Sequence, residues 1–366
     1  MDLQHQALRS GFRQARQTPR SRHRDIAQAL GVSEGELVAV HCGVFDPLES
    51  PLKARRLRGE WPQIVAALEA LGEVMALTRN ESCVHEKLGV YRNTSVNGPP
   101  GHRIGLVLAG AIDLRVFYER WAHGFAVEER LADGAEQRSL QFFDAQGQAI
   151  HKVFLKPASA VAAYFDLVEQ FGDGKLEANI ECTEGPAPKA ERADADVDVA
   201  GFHAAWTSMH DTHEFFGILK KFGLTRTQAL RLAPPDYAHE VSTASAHEVL
   251  NRAAQDGTSI MVFVGNPGMI QIHSGPVKRV EVMGPWVNVL DPGFNLHLRE
   301  DHIAQAWLVK KPTSDGLVHS VELFDAQGET IAMFFGERKP GQAERCDWRN
   351  LLTSLGSESG AEVQAC

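Results

Sequence analysis

The five residues Phe143-Asp144-Ala145-Gln146-Gly147 occur again, letter for letter, as Phe324-Asp325-Ala326-Gln327-Gly328. Each copy lies between two segments rich in apolar and β-branched residues. An Asp-x-x-Gly turn between such segments is typical of a β-hairpin, because glycine readily adopts a positive φ. The repeated turn therefore predicts two hairpins of the same kind, one in each half of the chain.

Other elements recur in the same order around these turns. A helix that ends at glycine and is followed by a capped second helix appears near Gly31 and again near Gly223. An amphipathic helix and a strand that ends in asparagine come next in both halves, at Asn80 and at Asn266. Agreement of so many elements in order indicates an internal duplication. Because strands outnumber helices and arrive consecutively, we expect an α+β fold: a tandem structural repeat in which each half is a large antiparallel β-sheet with helices packed on it.

The duplication also suggests domain boundaries. Residues 1–22 are expected to form a basic N-terminal arm, residues 23–182 the first repeat, and residues 201–353 the second repeat with the main site. The intervening segment, 183–200, is rich in Ala, Pro and Asp and poor in bulky apolar residues, which is typical of a mobile linker. Residues 354–366 are expected to be a disordered tail.

Composition and missing motifs exclude several classes of function. The chain has 366 residues, of which 43% are hydrophobic and 23% charged, as in ordinary soluble proteins. Its formal net charge of −10 argues against nucleic acid as a partner, and no apolar run approaches the ~20 residues that span a bilayer. Five scattered cysteines and the lack of a secretory signal favour a cytoplasmic protein. Nucleotide-binding, serine-hydrolase and zinc-protease motifs are also missing.

The candidate functional stretch runs from Asp211 to Arg226. Spacings of three and four upstream of it predict one apolar helix face, made of Phe202, Trp206, Met209, His213, Phe216 and Leu219. A wide, flat, apolar ligand that contains a metal would use such an imidazole directly. Three alternatives stay open for His213: a core histidine with a satisfied hydrogen bond, an exposed metal clip with His210, or a position near a helix N-terminus. In the third, Asp211 and Glu214 form a capping box that restarts the helix.

Several cations stand in apolar, strand-like settings. Lys311 closes one such segment, Arg338 follows another, and Arg115 lies two residues before Phe117, on the same side of an extended segment. Each of them alone is most simply a solvated surface charge. Together with one imidazole on an apolar helix, they suit a planar, amphipathic, dianionic metal ligand. Haem is such a ligand, since it needs an axial donor, apolar walls, and Arg or Lys for its propionates.

Seven stretches, taken in order, resemble the hemin-degrading factor family, the HemS/ChuS-type cytoplasmic haem-utilisation proteins. They lie within residues 23 to 350: Glu73 to Glu81, Val84 to Lys87, Asp113 to Phe117, Asp211 to Phe216, Phe263 to Gly268, Phe294 to Leu298 and Gly336 to Arg338. The resemblance implies a tandem repeat of antiparallel-sheet domains with b-type haem as ligand or substrate. It also implies that the protein binds metal through His213, the axial ligand of the haem iron, with His210 as the alternate ligand.

The resemblance implies further roles for individual residues. The Arg and Phe of the family's distal side fall on Arg115 and Phe117, and Arg115 would be catalytic if the protein is an enzyme. The family's propionate-binding cations fall on these positions: Arg226, Lys311 and Arg338. Phe335 stands where some relatives carry a Tyr that reaches a propionate, so that hydroxyl is absent here.

The expected function is haem uptake for iron acquisition, in which the protein carries haem from an inner-membrane importer to a haem oxygenase. The alternative is a haem-degrading enzyme, with oxygenase-like opening of the ring, release of iron, and electrons from an external reductant. No nucleic-acid partner and no stable membrane insertion are expected. The sequence leaves open whether the first half has its own haem site, for example at His85.

Overall fold

The computed structural model describes residues 3–18, 21–46, 49–108, 110–187, 190–339 and 341–359. These residues form two compact units, and neither unit is continuous in sequence. The first unit contains the residues up to Arg79 together with Glu86–Pro186 and Asn266–Gln271. The second contains Asn80–His85, Ala187–Gly265 and the residues from Ile272 onward.

The described residues of the first half of the chain form five α-helices and nine strands. In chain order they are α1 (Leu3–Ala15), α2 (His23–Leu30), α3 (Glu34–Ala39), β1 (Leu52–Arg56), α4 (Trp61–Ala67), β2 (Val74–Arg79), β3 (Cys83–Gly89), β4 (Thr94–Asn97), β5 (Ile104–Val107), β6 (Asp113–Phe117), β7 (His123–Arg130), β8 (Glu136–Phe143), β9 (Ala149–Leu155) and α5 (Val161–Phe171).

The second half repeats this series with small changes. Its elements are α6 (Val199–Thr207), α7 (Glu214–Phe222), α8 (Arg226–Arg231), β10 (Ala238–Val241), α9 (Ser245–Asp256), β11 (Ser259–Asn266), β12 (Met269–Pro276), β13 (Val280–Met283), β14 (Trp286–Asp291), β15 (Phe294–Arg299), β16 (Gln305–Thr313), β17 (Gly316–Phe324), β18 (Thr330–Gly336) and α10 (Cys346–Ser359).

Each unit is built on an antiparallel sheet with the same strand order. In the first unit the order is β1-β7-β8-β9-β2, and in the second it is β10-β16-β17-β18-β11. A three-stranded meander follows in both, as β4-β5-β6 and as β13-β14-β15. The predicted α+β fold, a tandem repeat of large antiparallel sheets with helices, is therefore confirmed.

The repeated five-residue turns fold identically. In each turn the aspartate side chain accepts two backbone N–H groups, Asp144 from residues 146 and 148 and Asp325 from residues 327 and 329, at 2.8–2.9 Å. The glycines at the ends of the turns have positive φ, 74° for Gly147 and 79° for Gly328. Local turn chemistry thus fixes the register of both hairpins, as the sequence predicts.

Each half of the chain contributes a short segment to the other unit: Asn266–Gln271 belongs to the first unit and Asn80–His85 to the second. The asparagine at the start of each segment holds it in place by hydrogen bonds. In the first unit, Asn266 donates from Nδ2 to the carbonyls of Arg79 and Ile150, at 2.9 and 2.8 Å. In the second unit, Asn80 donates to the carbonyls of Gly265 and Ile331, at 3.1 and 2.8 Å. The contiguous boundaries predicted for the repeats miss these two segments, because such pairings join residues more than a hundred positions apart.

The structure also differs from the prediction for the terminal segments. The predicted basic arm, 1–22, contains helix α1, which buries Phe12 completely, and Arg16, just after the helix, pairs with Glu129 at 2.6 Å. Helix α10 continues through residues 354–359 of the predicted disordered tail, and residues 360–366 lie outside the described part of the chain.

The predicted mobile linker, 183–200, is held in place over its second part. Glu191 accepts a hydrogen bond from the Thr225 hydroxyl at 2.7 Å, and Asp194 accepts one from the amide of Gln228 at 2.8 Å. Arg231 pairs with both carboxylates, at 3.0 and 2.9 Å. The composition of this segment correctly indicates little apolar packing. It does not reveal that the acidic side chains of the segment bind polar and cationic side chains at and within helix α8, and these contacts hold the segment in place.

A buried hydrogen-bonded chain sits in the core of the first unit. The Tyr91 hydroxyl lies 2.5 Å from His151 Nε2, and His151 Nδ1 lies 2.9 Å from the Thr78 hydroxyl, which donates to Gln271 Oε1 at 2.7 Å. Since the Thr78 hydroxyl donates its proton to Gln271, its oxygen accepts from His151 Nδ1, and a neutral His151 then accepts from the Tyr91 hydroxyl at Nε2. Burial agrees, because it lowers the pKa of His151 to about 3.

Lowering the pH from 7 to 5 should therefore destabilise the first unit. The unfolded His151 gains a proton near its ordinary pKa, whereas the folded side chain stays neutral, so the free energy of unfolding falls by about 2 kcal/mol at pH 5. Thermal melts at both pH values measure this loss. His151→Gln should melt lower at pH 7 but lose less on acidification. The exposed His102→Gln should respond like the unaltered protein. An equal acid response in all three proteins would contradict the assignment.

Candidate functional site

The stretch around His213 is not one continuous helix. Helix α6 ends at Thr207 and α7 begins at Glu214, with residues 208–213 forming a turn between them. The prediction of a single apolar face is therefore wrong for its downstream part: Phe215 is buried, whereas Phe216 is 76% exposed. The break rotates α7 relative to the spacing expected for an unbroken helix. Of the alternatives left open, the helix restart is observed, with His213 as the N-cap residue of α7, but the capping box expected between Asp211 and Glu214 is not formed: Glu214 accepts instead from the backbone N–H of His210 at 3.3 Å.

The restart places His213 on the surface with a defined orientation. The Asp211 carboxylate contacts His213 Nδ1 at 2.6 Å and also accepts the backbone N–H of His213 at 2.8 Å. A carboxylate on Nδ1 holds the proton there and leaves the lone pair on Nε2, the tautomer that binds a metal. The side chain of His213 is 85% exposed, so it is not a core histidine.

An exposed aromatic ring lies on the same helix end. Phe216 comes three residues after His213, at a helical spacing that puts neighbouring side chains on one face. Gly217 adds no side chain, and a Cβ built there would meet nothing within 4 Å. This surface, made of His213, Phe216 and Gly217 and called the α7 surface below, offers one nitrogen donor beside an uncovered apolar ring.

Arg338 lies close enough to act on this site electrostatically. The backbone N–H of His213 is the main cause that lowers the pKa of Asp211, and the positive charge of Arg338 adds to it. Nη1 of Arg338 is buried and has no hydrogen-bond partner among the described residues. A buried guanidinium nitrogen without an acceptor is uncommon in folded proteins, and it would be satisfied by an anion.

The loops that carry these residues are tied to one hairpin. The exposed His210 accepts a hydrogen bond from the backbone N–H of Ser314 at 2.9 Å, and Gly341 donates its N–H to Asp315 at 3.0 Å. The 208–213 turn and the loop after β18 therefore share an anchor between β16 and β17. His210 lies three residues before His213 within this turn, and it is not one turn away on a shared helix.

Arg226 and Lys311 are both paired with one buried carboxylate. Arg226 Nε lies 2.7 Å from Glu322 Oε2, and the Lys311 ammonium lies 2.5 Å from Oε1 of the same residue. Burial would raise the pKa of Glu322, but the two cations outweigh it and hold the pKa far below its usual range. Burial lowers the pKa of Lys311 to about 8. Both cations also lie over the ring of Phe215, at 5.3 and 4.8 Å from its centre.

Lys311, predicted to bind a propionate, is buried. Its side chain is 3% exposed, against 25% for Arg226, so in this structure Lys311 is not a surface cation. The three charges of Arg226, Lys311 and Glu322 sum to one excess positive charge, which the arginine presents towards solvent. Phe335 is half-buried, and its ring packs edge-on against Phe263 at 5.0 Å.

Arg115 and Phe117 belong to the first unit and share one side of β6. Positions 113, 115 and 117 are half-buried and alternate with two fully buried residues, as expected for an extended strand. The guanidinium of Arg115 contacts the carboxylate of Asp113, and its Nη1 also lies 3.3 Å from the carbonyl of Leu114. Its side chain is 29% exposed, so a polar ligand could displace these local contacts.

At the described positions of the first unit that correspond to His213 and Arg226, other residues are found. Its helix α2 has Arg22 at the N-cap, where α7 has His213. Its helix α3 begins with the acidic Glu34, where α8 begins with Arg226. His85, in the second unit, is fully buried with its ring 4.9 Å from that of Phe294.

Sequence reasoning missed two residues that shape the site. Asp211 is the partner of His213 Nδ1, and an aspartate two residues before a candidate ligand is a signal that could have found it. Glu322 lies on another strand, so no local pattern joins it to Arg226 or Lys311. Among the described residues no three or more His, Cys, Asp or Glu side chains form a metal cluster. A metal on this surface would therefore need ligands of its own besides the histidine.

The sequence is similar to a known protein family over most of its length. The sequence matches the haemin-degrading HemS.ChuX domain over residues 31–171 and 223–355. It is 40% identical over 338 residues, 92% of this chain and 93% of the relative, to a protein named hemin transport protein HemS from Yersinia enterocolitica.

Solved structures agree with the sequence match. Holo-PhuS, described as a heme-binding protein from Pseudomonas aeruginosa, superposes with a TM-score of 0.89 and 45% identity over 96% of this chain and 99% of that chain. ChuS, described as an E. coli heme oxygenase, superposes with a TM-score of 0.81 and 38% identity over 94% and 98%.

Fold and site together define a two-unit, sheet-based protein with one exposed, carboxylate-oriented histidine. The chain belongs to the haemin-degrading HemS/ChuX family. None of the helices in the described part of the chain is both long and apolar enough to cross a membrane.

Proposed function

We propose that this protein binds haem through His213 and carries it within the cytoplasm during iron acquisition. The observation that carries the proposal is the exposed His213, whose Nδ1 is held by Asp211 so that Nε2 faces outward as a donor. An axial imidazole of this kind is a common protein ligand of haem iron. One structure with a similar fold is described as a heme-binding protein, and one relative similar in sequence is named a hemin transport protein.

The chemistry of the α7 surface suits a flat, apolar ligand. Phe216 offers an uncovered ring beside the donor nitrogen, and Gly217 leaves the helix surface open for close approach. Single exposed apolar side chains are common on protein surfaces. What supports a ligand is the position of Phe216 three residues after His213, where one flat molecule could cover both side chains.

We assign the propionates of haem to Arg338 and Arg226. Arg338 has a buried nitrogen without a partner among the described residues, and Arg226 carries the excess positive charge of its cluster. Lys311 has an indirect role in this assignment. Because it also pairs with Glu322, the single negative charge of that carboxylate is shared, and Arg226 keeps part of its positive charge for a propionate. The ring of Phe335 contributes apolar contact and no hydroxyl.

Haem transfer is the main function that we propose, from an inner-membrane importer to a haem oxygenase. A carrier needs a donor, an apolar surface and cations, and the second unit has all three. Haem degradation is the second candidate, because one similar structure is described as a heme oxygenase and because Arg115 could donate to oxygen during ring opening. For Arg115 to take that role, it would first have to give up its contact with Asp113, which the carrier does not require.

Replacing His213 should change the iron coordination. Ferric haem added to the protein should give a Soret band that shifts in His213→Ala and stays unchanged in His210→Ala, the matched control three residues away. Asp211→Asn should keep the band but weaken haem binding about tenfold, since it loses the partner that orients the imidazole. A spectrum that is lost in His210→Ala and kept in His213→Ala would exchange the two assignments.

The propionate assignment can be separated from folding with haem dimethyl ester. Arg338→Ala and Arg226→Ala should each weaken haem binding by about 1–2 kcal/mol, the range for charge-assisted hydrogen bonds, and should leave affinity for the ester unchanged. Arg231→Ala, on the same helix as Arg226, is the control. Equal losses for haem and ester would show that the arginines act on the fold instead.

Haem degradation that continues in the presence of catalase distinguishes an enzyme from a carrier, because catalase removes the free peroxide that would otherwise destroy haem non-enzymatically. The haem complex is given ascorbate with catalase present, and carbon monoxide and pigment are measured beside the rate of haem transfer to a separate haem oxygenase. We expect rapid transfer and slow degradation that falls in Arg115→Ala but not in Arg103→Ala, another arginine of the first unit. Many turnovers of carbon monoxide release despite catalase would make degradation the main function.

A further inference from the structure

The first unit contains a cleft that none of the residues discussed above lines. Its volume is about 500 Å³, within the range of small-molecule sites. The floor is strand β1, the end strand of its sheet, and the walls are the turn after α3 and the chain that leaves α5. Gly43 and Gly174, with φ of 75° and 70°, shape the two walls.

Positive charge dominates the lining of this β1 cleft. Four cations face it, Lys53, Arg55, Arg56 and Lys175, against two carboxylates, Glu128 and Glu169. Glu128 is already shared with Arg138 at 3.6 Å. A local excess of cations in a chain of net charge −10 is unexpected for a surface without function, and it would attract an anion.

Arg56 is anchored at the cleft by several contacts. Its Nη2 donates to the carbonyls of Asn179 and Glu177, and its guanidinium hydrogen-bonds the Cys42 thiol, which opposes the rise in the pKa of that thiol caused by burial. Because Arg56 lines the cleft, these contacts hold its positive charge where a bound anion would meet it.

The cleft also has apolar lining residues. Phe45 and Leu176 are 67% and 62% exposed, and the buried Val44 and Val168 line the cleft with them. None of the described side chains that line the cleft is a His, Cys, Met or Tyr, so it offers no axial donor to iron. The site therefore differs in chemistry from the α7 surface.

We propose that the β1 cleft binds a metal-free organic carboxylate, with the carboxylate held by Arg56, Lys53 and Lys175 and the apolar body between Phe45 and Leu176. The excess of cations selects the charged group, and the two exposed side chains supply the contact that a simple inorganic anion could not use. The proposal does not depend on haem binding, since no residue is shared with the α7 surface.

Calorimetric titration of the full chain tests this site with four probes: 2-naphthoate, dodecanoate, the neutral 2-naphthalenemethanol and inorganic phosphate. At least one carboxylate should bind saturably, and both of the other probes should bind at least tenfold more weakly. The double change Lys53→Gln/Lys175→Gln should weaken carboxylate binding about tenfold, and Phe45→Ser about threefold. All variants should keep the haem-induced Soret band of the unaltered protein.

Matched controls separate the cleft from general effects of charge and exposure. Arg103→Gln/Arg120→Gln removes two exposed cations elsewhere in the first unit, and Leu3→Ser removes an exposed apolar side chain; both should leave carboxylate binding unchanged. Loading with haem should leave it unchanged too. The proposal is overturned by an absence of saturable binding at millimolar carboxylate, by equal binding of phosphate or the alcohol, by equal losses in the controls, or by competition from haem.

Discussion

A buried carboxylate that joins a short helix to the sheet organises both units. In the second unit Glu322 on β17 binds Arg226 at the start of α8. In the first unit Glu34 at the start of α3 binds Arg79 on β2 at 2.6 Å and also Lys152 on β9. Burial would raise the pKa of Glu34, but Lys152 and Arg79 outweigh it and hold the pKa far below its usual range. An unpaired charge at these depths would be strongly destabilising, so the helix can dock in one position only.

The two helices, α3 and α8, are capped in the same way in both halves, but the charged residue that follows the cap has the opposite sign. Ser33 and Thr225 cap the two helices in the same way, each accepting the backbone N–H three residues later, at 3.2 and 3.1 Å. The next residue is the acid Glu34 in one helix and the base Arg226 in the other. The first arrangement encloses its charges, whereas the second leaves a guanidinium partly exposed. One scaffold thus gives a closed structural cluster and an open candidate site for an anion.

The candidate haem site depends on the break between α6 and α7. A continuous helix would have put His213 in the apolar face with Trp206 and Met209, where an imidazole cannot reach a ligand. The turn at 208–213 instead lets Trp206 and Phe215 pack edge-on at 4.7 Å in the core, while His213 and Phe216 stay outside. In the turn, the Asp211 carboxylate orients the imidazole of His213 and leaves it exposed to solvent.

The sequence by itself determined the duplication, the two matching hairpins, the antiparallel sheets and the shared side of Arg115 and Phe117. All of these depend on local turn chemistry and on the alternation of residues along a strand, which act over a few positions. Tertiary structure decided the rest: the exchange of Asn80–His85 and Asn266–Gln271 between units, the docking of the predicted linker, the burial of Lys311 against Glu322, and the β1 cleft. Each of these joins residues far apart in the chain. Their free energies depend on which charges and amides meet after folding, and a one-dimensional pattern of polarity does not contain that information.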